Sequence, residues 1–388
     1  ARNASDLLQQ AERLIASHDE TASGSPVMAL ARHIGRQMGS GALPMDQVED
    51  IVRLLRDRAF AGRAYHIATY LDGPDEKTVT TRMCTVARRI VQPDPDDSPV
   101  PIARFRAAIE RSRFAAVFTA HPTFALANPV YEALAELASA NPSEPPAHVP
   151  AFLTHRRAGP PTLDEEFSLA TQAILRGRTA LDRLNAILLS EARTHWPQLW
   201  FTLVPRPIIM TSWVGYDTDG RTDIGWWDTL RLRLRMKQLQ LSRLHDQVAT
   251  VTDCANDLLQ RIDTALDAVN EQIAACPTGP EPEAVSRFAD VLINRSADAL
   301  TSTNDLSATF GEAIDAASAD DKMTLAVARA GFMAHGLSAA HTHTRLNATQ
   351  LHNIARQPLQ LTDSPQFPPQ RRPQITPVHE ALDTGAPL

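Results

Sequence analysis

The chain has 388 residues, enough for two or three ordinary domains or one large barrel, and its 43% hydrophobic content supports a substantial core. A formal net charge of −7 argues against the basic surface typical of nucleic-acid-binding proteins, so we expect no nucleic-acid partner. No run of 18 apolar residues is present, so we expect no membrane span and no membrane partner. Three scattered cysteines, Cys84, Cys254 and Cys276, are typical of free thiols in a reducing cytoplasm.

Helical spacing of apolar residues dominates the first third of the chain. It predicts helices over about 7–15, 48–71 and 77–92, and a shorter helix over 102–112. Between the last two, the proline-rich segment 93–101 predicts a linker.

The stretch FAAVFTAHPT changes from apolar to polar at Thr119. Its apolar, β-branched and aromatic residues predict a buried strand over Phe114–Phe118, which Pro122 ends because it cannot donate to a ladder. His121 therefore follows a predicted strand directly, as catalytic groups do in α/β barrels. The alternative is a histidine that only caps the strand.

The remainder of the chain alternates two more short apolar runs with long helical patterns. We predict strands over 207–214 and 337–344, and helices over 128–140, 163–193, 226 to about 266 with a break near Asp253, 281–294, 304–317 and 320–335. Because strand–helix alternation is typical of parallel sheets, the three strands are expected to be parallel neighbours. The last segment, 358–388, has seven prolines and predicts a loop or disordered tail.

Three motifs resemble those of the phosphoenolpyruvate carboxylase family. TAHPT is similar to the family's TAHPTE, and SWVGYDTDGRTDI (Ser212–Ile224) is similar to SWxGGDRDGNP. HGLSAAHTHTRLN (His335–Asn347) resembles a third, less specific strand motif, FGL…LDxRQ. The three occur in the family's order.

The resemblance implies a predominantly α-helical α/β fold, with about the first three strands of a helix-rich (β/α)₈ barrel. On this interpretation residues 1–112 form an amino-terminal helical region, 113–357 a partial barrel, and 358–388 the tail. We expect the chain, which opens at Ala1 without a methionine, to be the amino-terminal part of a longer protein. The family further implies a cytoplasmic homo-oligomer, a tetramer.

The implied activity joins bicarbonate to phosphoenolpyruvate and gives oxaloacetate and phosphate. The family's motif histidine matches His121, which would exchange a proton with the carboxyphosphate intermediate. Asp217, Asp219 and Arg345 match positions of the family motifs, and together with Arg221 they are the predicted substrate-binding residues. Mg²⁺ or Mn²⁺ would bind substrate oxygens, and we expect its ligands, with the family's FHGRGG loop, outside this chain, which alone should not turn over.

Several motif positions depart from the family pattern. Phe124 replaces the glutamate after HPT, Tyr216 replaces the second glycine of GGD, and Thr218 replaces an arginine expected to bind phosphate. Arg221 is a candidate substitute cation. These departures keep open a second hypothesis, a non-catalytic homologue that binds an anion or a partner and regulates.

A third hypothesis comes from His341 and His343. Alternate residues of a strand point to one face, and two imidazoles on one face can bind zinc, as in barrel hydrolases. No carboxylate or lysine partner is evident from spacing. A basic run on the helix after the second strand, Arg231 to Lys237, is interpreted as a solvated face or subunit contact.

Overall fold

The computed structural model describes most of the chain between residues 26 and 343. The described residues are 26–71, 75–94, 96, 98–118, 126–140, 157, 159, 161–216, 224–251 and 254–343, together with residues 6, 9 and 13. The predicted tail and most of the predicted helix over 7–15 lie outside them. In the described part, no helix is both long and apolar enough to span a bilayer.

The described residues are mostly helical, with one three-stranded parallel sheet. The helices are α1 (Pro26–Gly39), α2 (Met45–Leu71), α3 (Glu76–Val91), α4 (Ile102–Ile109), α5 (Asn128–Ser139), α6 (Leu163–His195), α7 (Trp226–Val248), α8 (Asn256–Ala275), α9 (Pro282–Asn294), α10 (Ser307–Ala316) and α11 (Ala319–His335). The strands are β1 (Phe114–Phe118), β2 (Ile208–Ser212) and β3 (His341–Thr342). Short 3₁₀ helices lie at Trp200–Thr202 and Thr303–Leu306.

Contacts divide the chain into two compact units. One comprises residues 1–81 and 123–160, and the other comprises 82–122 and 161–388. In the first unit, α2 packs on α5 through Phe60 and Val130, which are 2% and 1% exposed. The predicted domain limits at 112 and 357, drawn from the family resemblance, stay predictions.

The second unit is built around α6, the longest described helix. Its start is fixed by a capping box, in which the Thr162 hydroxyl accepts from the Glu165 N–H and the Glu165 carboxylate accepts from the Thr162 N–H. Its buried face includes Ile174, Leu181 and Leu188. The predicted break in the next long helix is confirmed, because α7 ends at Val248 and α8 begins at Asn256.

The sheet has the order β1-β2-β3, and both pairings are parallel. Phe114 pairs with Ile208 and Phe118 with Ser212, while Thr342 pairs with Ser212 from the other side. The prediction of three neighbouring parallel strands is therefore confirmed for the described residues. A helix-rich α/β fold is established on this basis.

The third strand is much shorter than the predicted 337–344, because backbone groups before it bond elsewhere. Gly336, with φ of 69°, caps the end of α11. The Ala339 N–H donates to the Met236 carbonyl at 3.1 Å, and the Ala339 carbonyl accepts from Arg178 at 2.8 Å. These groups are thus not available to a ladder, and the strand begins only at His341.

The prediction that β1 is buried is wrong for the described residues. Phe114 is 61% exposed and Val117 is 41% exposed. Among these residues β1 pairs only with β2 and so forms an edge of the sheet. In contrast, Met210, Thr211 and Ser212 of the central strand are buried. An apolar run predicts a strand but carries no signal for which strand lies at the edge.

A buried guanidinium joins the helices to the segment that leads into β3. Arg178 of α6 is 2% exposed, and its Nη1 donates to Gln240 Oε1 at 3.0 Å and to the Ala339 carbonyl at 2.8 Å. Its Nη2 donates to the Gly331 carbonyl at 3.1 Å. Burial, followed by the charge of Arg243, lowers the Arg178 pKa to about 10, so the group stays charged at neutral pH.

His335, the last residue of α11, connects this network to the central strand. The Met210 N–H donates to His335 Nε2 at 3.0 Å, so the proton of the neutral imidazole lies on Nδ1, which faces the Gly331 carbonyl at 3.2 Å. Burial, and then the nearby charge of Arg178, lower the His335 pKa to about 3. A neutral His335 is therefore part of the fold near pH 7.

We predict that His335 makes the second unit sensitive to acid. In the unfolded chain its pKa is about 6.5, so between pH 6.5 and about 3 only the unfolded state binds this proton. Stability then falls as pH drops through this window, by up to about 1.4 kcal/mol per pH unit. In the variant His335→Gln, the amide oxygen can still accept from the Met210 N–H, but the residue takes up no proton. Its stability should therefore fall less steeply with decreasing pH.

The measurement is urea unfolding at pH 7, 5 and 4, followed by tryptophan fluorescence. All five tryptophans lie between residues 196 and 227, so the signal reports the second unit. His66→Gln, on an exposed position of α2, is the matched control and should keep the wild-type slope. If the free energy of unfolding falls with pH equally steeply in His335→Gln and in wild type, His335 is not the source of the acid sensitivity.

Candidate functional site

The carboxyl-terminal ends of the three strands lie along one edge of the sheet, which we call the carboxyl edge. The last strand residues are Phe118, Ser212 and Thr342. Ser212 Oγ donates to the Phe118 carbonyl at 2.9 Å, and the His343 N–H donates to the Ser212 carbonyl at 2.9 Å. These bonds hold the last residues of the three strands side by side. In open and closed parallel sheets this is the edge where ligands bind.

The segment after β2 begins with a tight turn. The Tyr216 N–H donates to the Trp213 carbonyl at 2.9 Å, and Gly215 has a φ of 83°, which glycine adopts most readily. The Thr229 hydroxyl, on the first turn of α7, donates to the Gly215 carbonyl at 2.6 Å. The start of the GYDTDGRTD loop is therefore tied to a helix.

The predicted site residues follow the three strand ends in the sequence. His121 comes three residues after Phe118, and Arg345 comes three residues after Thr342. Asp217, Asp219 and Arg221 follow the turn after β2. All five lie outside the described residues, as do the departures at Phe124 and Thr218. The structure describes the strand ends that precede them.

His341 and His343 have different surroundings. His341 Nε2 donates to the Ala334 carbonyl at 2.7 Å, and its ring stacks on His335 with centroids 5.6 Å apart. The ring of His343 lies 5.5 Å from that of Trp213. One nitrogen of His341 is thus already used by the fold. Within residues that the structure describes, no group of three His, Cys, Asp or Glu side chains could hold a metal ion.

A small cavity lies beneath the carboxyl edge. Its lining includes Ser212, Val214, Tyr216, His341 and Thr342. Its volume of about 10 Å³ is at the lower limit for a single water molecule. The described residues therefore supply a packed floor below the strand ends, and no substrate-sized pocket is formed by this cavity.

The basic run on α7, interpreted as a solvated face or a subunit contact, is half-buried at three positions and bonded within the chain there. Arg231 pairs with Asp228 at 2.8 Å. Arg235 pairs with Asp164 at 2.6 Å, and its guanidinium lies 4.3 Å from the Phe167 ring centre. Lys237 Nζ donates to the Leu300 carbonyl at 2.6 Å. Arg233 is exposed.

The residues that position the carboxyl edge were not found from the sequence. Arg178 carried one available signal, since it sits between Ile174 and Leu181 on the apolar stripe of α6. A charged residue on such a stripe indicates a buried, hydrogen-bonded group. His335 carried none, because its acceptor role depends on Met210, which lies 125 residues away in the chain.

Comparison with known proteins adds no relative. No family model matches this chain, and no curated protein matches it. The carboxylase resemblance accordingly rests on the three short motifs and on the strands that carry them.

We predict that Gly215 is required for the loop after β2. A Cβ at this position would lie 2.5 Å from Leu232 Cδ1, and a side chain is strained at φ of 83°. Gly215→Ala should lower the free energy of unfolding by about 1–3 kcal/mol. Gly311→Ala is the control, because a Cβ there meets nothing within 4 Å and its helix should gain about 0.5–1 kcal/mol. Urea unfolding that ranks the two variants equally would contradict this role.

Proposed function

We propose that this chain is the amino-terminal part of a phosphoenolpyruvate carboxylase-like enzyme. Such an enzyme converts phosphoenolpyruvate and bicarbonate to oxaloacetate and phosphate. The observation that carries the proposal is the parallel pairing of β1, β2 and β3, each of which adjoins or lies within one of the three motifs. Parallel pairing directs the segments that begin after Phe118, Ser212 and Thr342 to one edge.

The order of the strands gives further support. The first three strands of a (β/α)₈ barrel are sequential neighbours, each reached by a helical crossover. Here β1, β2 and β3 are neighbours in chain order. In the sequence, α5 and α6 lie between β1 and β2, and α7–α11 lie between β2 and β3. An arc of three strands is consistent with part of a barrel. In the proposal the remaining strands belong to a part of the protein beyond these 388 residues.

In the proposed reaction, a bicarbonate oxygen attacks the phosphorus of phosphoenolpyruvate, and the bond from phosphorus to the enol oxygen breaks. The products of this step are carboxyphosphate and the enolate of pyruvate. His121 then accepts the carboxyphosphate proton, and carboxyphosphate splits into carbon dioxide and phosphate. The enolate carbon attacks carbon dioxide to give oxaloacetate. An imidazole suits the proton step because its ordinary pKa is near neutrality.

Anion recognition in this proposal falls to the charged residues around the motifs. Arg221 would take the place of the family arginine that Thr218 replaces, and Arg345 would follow the third strand. Asp217 and Asp219 would orient these cations or the substrate. The family resemblance places the ligands of Mg²⁺ or Mn²⁺ outside this chain, and we assign no step to the metal.

The regulatory hypothesis differs from the carboxylase proposal in one respect: the protein binds the anion but does not convert it to product. Phe124, Tyr216 and Thr218 are the residues that favour it, since they remove a glutamate, a glycine and an arginine from the family pattern. A zinc-dependent hydrolase is less well supported, because His341 Nε2 bonds to Ala334 and the His343 ring lies against Trp213.

The test is oxaloacetate formation from phosphoenolpyruvate and bicarbonate by the longer native protein and by the 388-residue chain. We predict activity in the longer protein, its loss by about 10²-fold or more in His121→Ala, and none in the 388-residue chain. His66→Ala is the matched histidine control and should keep wild-type activity.

One outcome would overturn the proposed activity, and another would overturn the proposal that this chain holds only part of the active site. If the longer protein binds phosphoenolpyruvate but forms no oxaloacetate, the regulatory hypothesis replaces the enzyme. If the 388-residue chain turns over above its own His121→Ala variant, the division of the site between this chain and the remainder is wrong.

A further inference from the structure

We propose that a second, arginine-rich cleft of this chain binds a phosphorylated small molecule with a partly apolar body. The cleft, which we call the arginine cleft, has a volume of about 630 Å³, within the range of small-molecule sites. It is lined by α4, by the segments that lead into β1 and β2, and by the end of α11. This proposal does not rest on the carboxylase activity.

Three guanidinium groups meet at the rim of the arginine cleft. They belong to Arg106, Arg111 and Arg206, and the lining has a single carboxylate, Glu110. Arg106 Nη1 lies 3.2 Å from Glu110 Oε1, and Arg206 Nε donates to the Glu110 carbonyl. Two of the three cations, Arg106 and Arg206, therefore bond to Glu110, and Arg111 follows it in the sequence. The excess of the three cations over the carboxylate is two positive charges.

The carboxylate of the cleft, Glu110, is already hydrogen-bonded within the chain. Glu110 Oε1 accepts from Arg106 and also from the Val204 N–H at 2.9 Å. Arg111 is exposed and makes no hydrogen bond or ion pair with another described residue. The cleft lining thus includes one guanidinium that is available to a bound anion, in addition to two that are tethered to the fold.

Two of the three cations are held in place before any ligand arrives. Arg106 Nη2 donates to the Thr202 hydroxyl at 2.7 Å, which ties α4 to the 3₁₀ helix before β2. Arg206 is held by its side-chain bond to the Glu110 carbonyl and by its backbone N–H, which donates to the Ile109 carbonyl at 2.8 Å. Fixed donors lose little conformational freedom when an anion binds, which favours affinity.

The charge and the floor of the cleft together select the class of ligand. Two excess positive charges complement a phosphate monoester, which carries about −1.5 to −2 at pH 7, better than a single carboxylate. The floor is apolar and includes Ala107, Ile209 and Met333. A ligand that fills it needs an apolar carbon body attached to the phosphate.

The experiment is calorimetric titration of the 388-residue chain with phenyl phosphate, inorganic phosphate and benzoate. Phenyl phosphate has both the dianion and the apolar body, and we expect it to bind at least tenfold more tightly than the other two probes. Arg111→Gln removes a cation without an internal partner among the described residues. It should therefore lower the affinity for phenyl phosphate by fivefold or more and leave the thermal unfolding temperature unchanged.

One control variant locates the binding. Arg104→Gln changes an exposed arginine of α4 that does not line the cleft. It should bind phenyl phosphate within twofold of wild type. Equal affinity of wild type and Arg111→Gln, an equal loss of affinity in Arg104→Gln, or equal affinity for inorganic phosphate would each overturn the proposal.

Discussion

The buried guanidinium of Arg178 is the interaction on which the second unit depends most. It bonds to Gln240 on α7, to the Gly331 carbonyl of α11 and to the Ala339 carbonyl just before β3. A charge so deep in a protein is unfavourable unless hydrogen bonds replace its lost water. These bonds tie α7, α11 and the segment before β3 to a single side chain of α6. The position of β3 beside β2 follows from them.

The Arg178 charge also sets the state of its neighbours. Together with burial it keeps His335 neutral, and a neutral His335 can accept from the Met210 N–H of the central strand. Asp182 and Arg243 form an ion pair nearby, and Gln247 donates to Asp182 at 2.7 Å. Gly331 permits this packing, because a Cβ there would lie 3.3 Å from Asp182 Oδ1. Polar groups of α6, α7 and α11 thus hold the sheet from one side.

Local patterns in the sequence were sufficient for most helices, for the three strands and for their parallel order. They failed where the determinant lies far away in the chain. The exposure of Phe114 depends on which strands flank β1, and the shortness of β3 depends on Arg178, 161 residues from Ala339. The helix Pro26–Gly39 was also missed. For the candidate site, the end of β1 at Phe118 was predicted correctly, and β2 and β3 end two residues before their predicted limits. His121 and the charged loop residues stay predictions.

The central claim is that Arg178 holds the sheet through its three bonds. The direct measurement is the free energy of urea unfolding of Arg178→Lys, followed by tryptophan fluorescence, with Arg193→Lys on the exposed side of α6 as control. Lysine keeps the charge but cannot reproduce the planar fork of donors. Bonds from a charged group contribute about 1.5–3 kcal/mol each, so a loss of about 3 kcal/mol or more is predicted. A loss below about 1 kcal/mol, equal to that of Arg193→Lys, would contradict the claim.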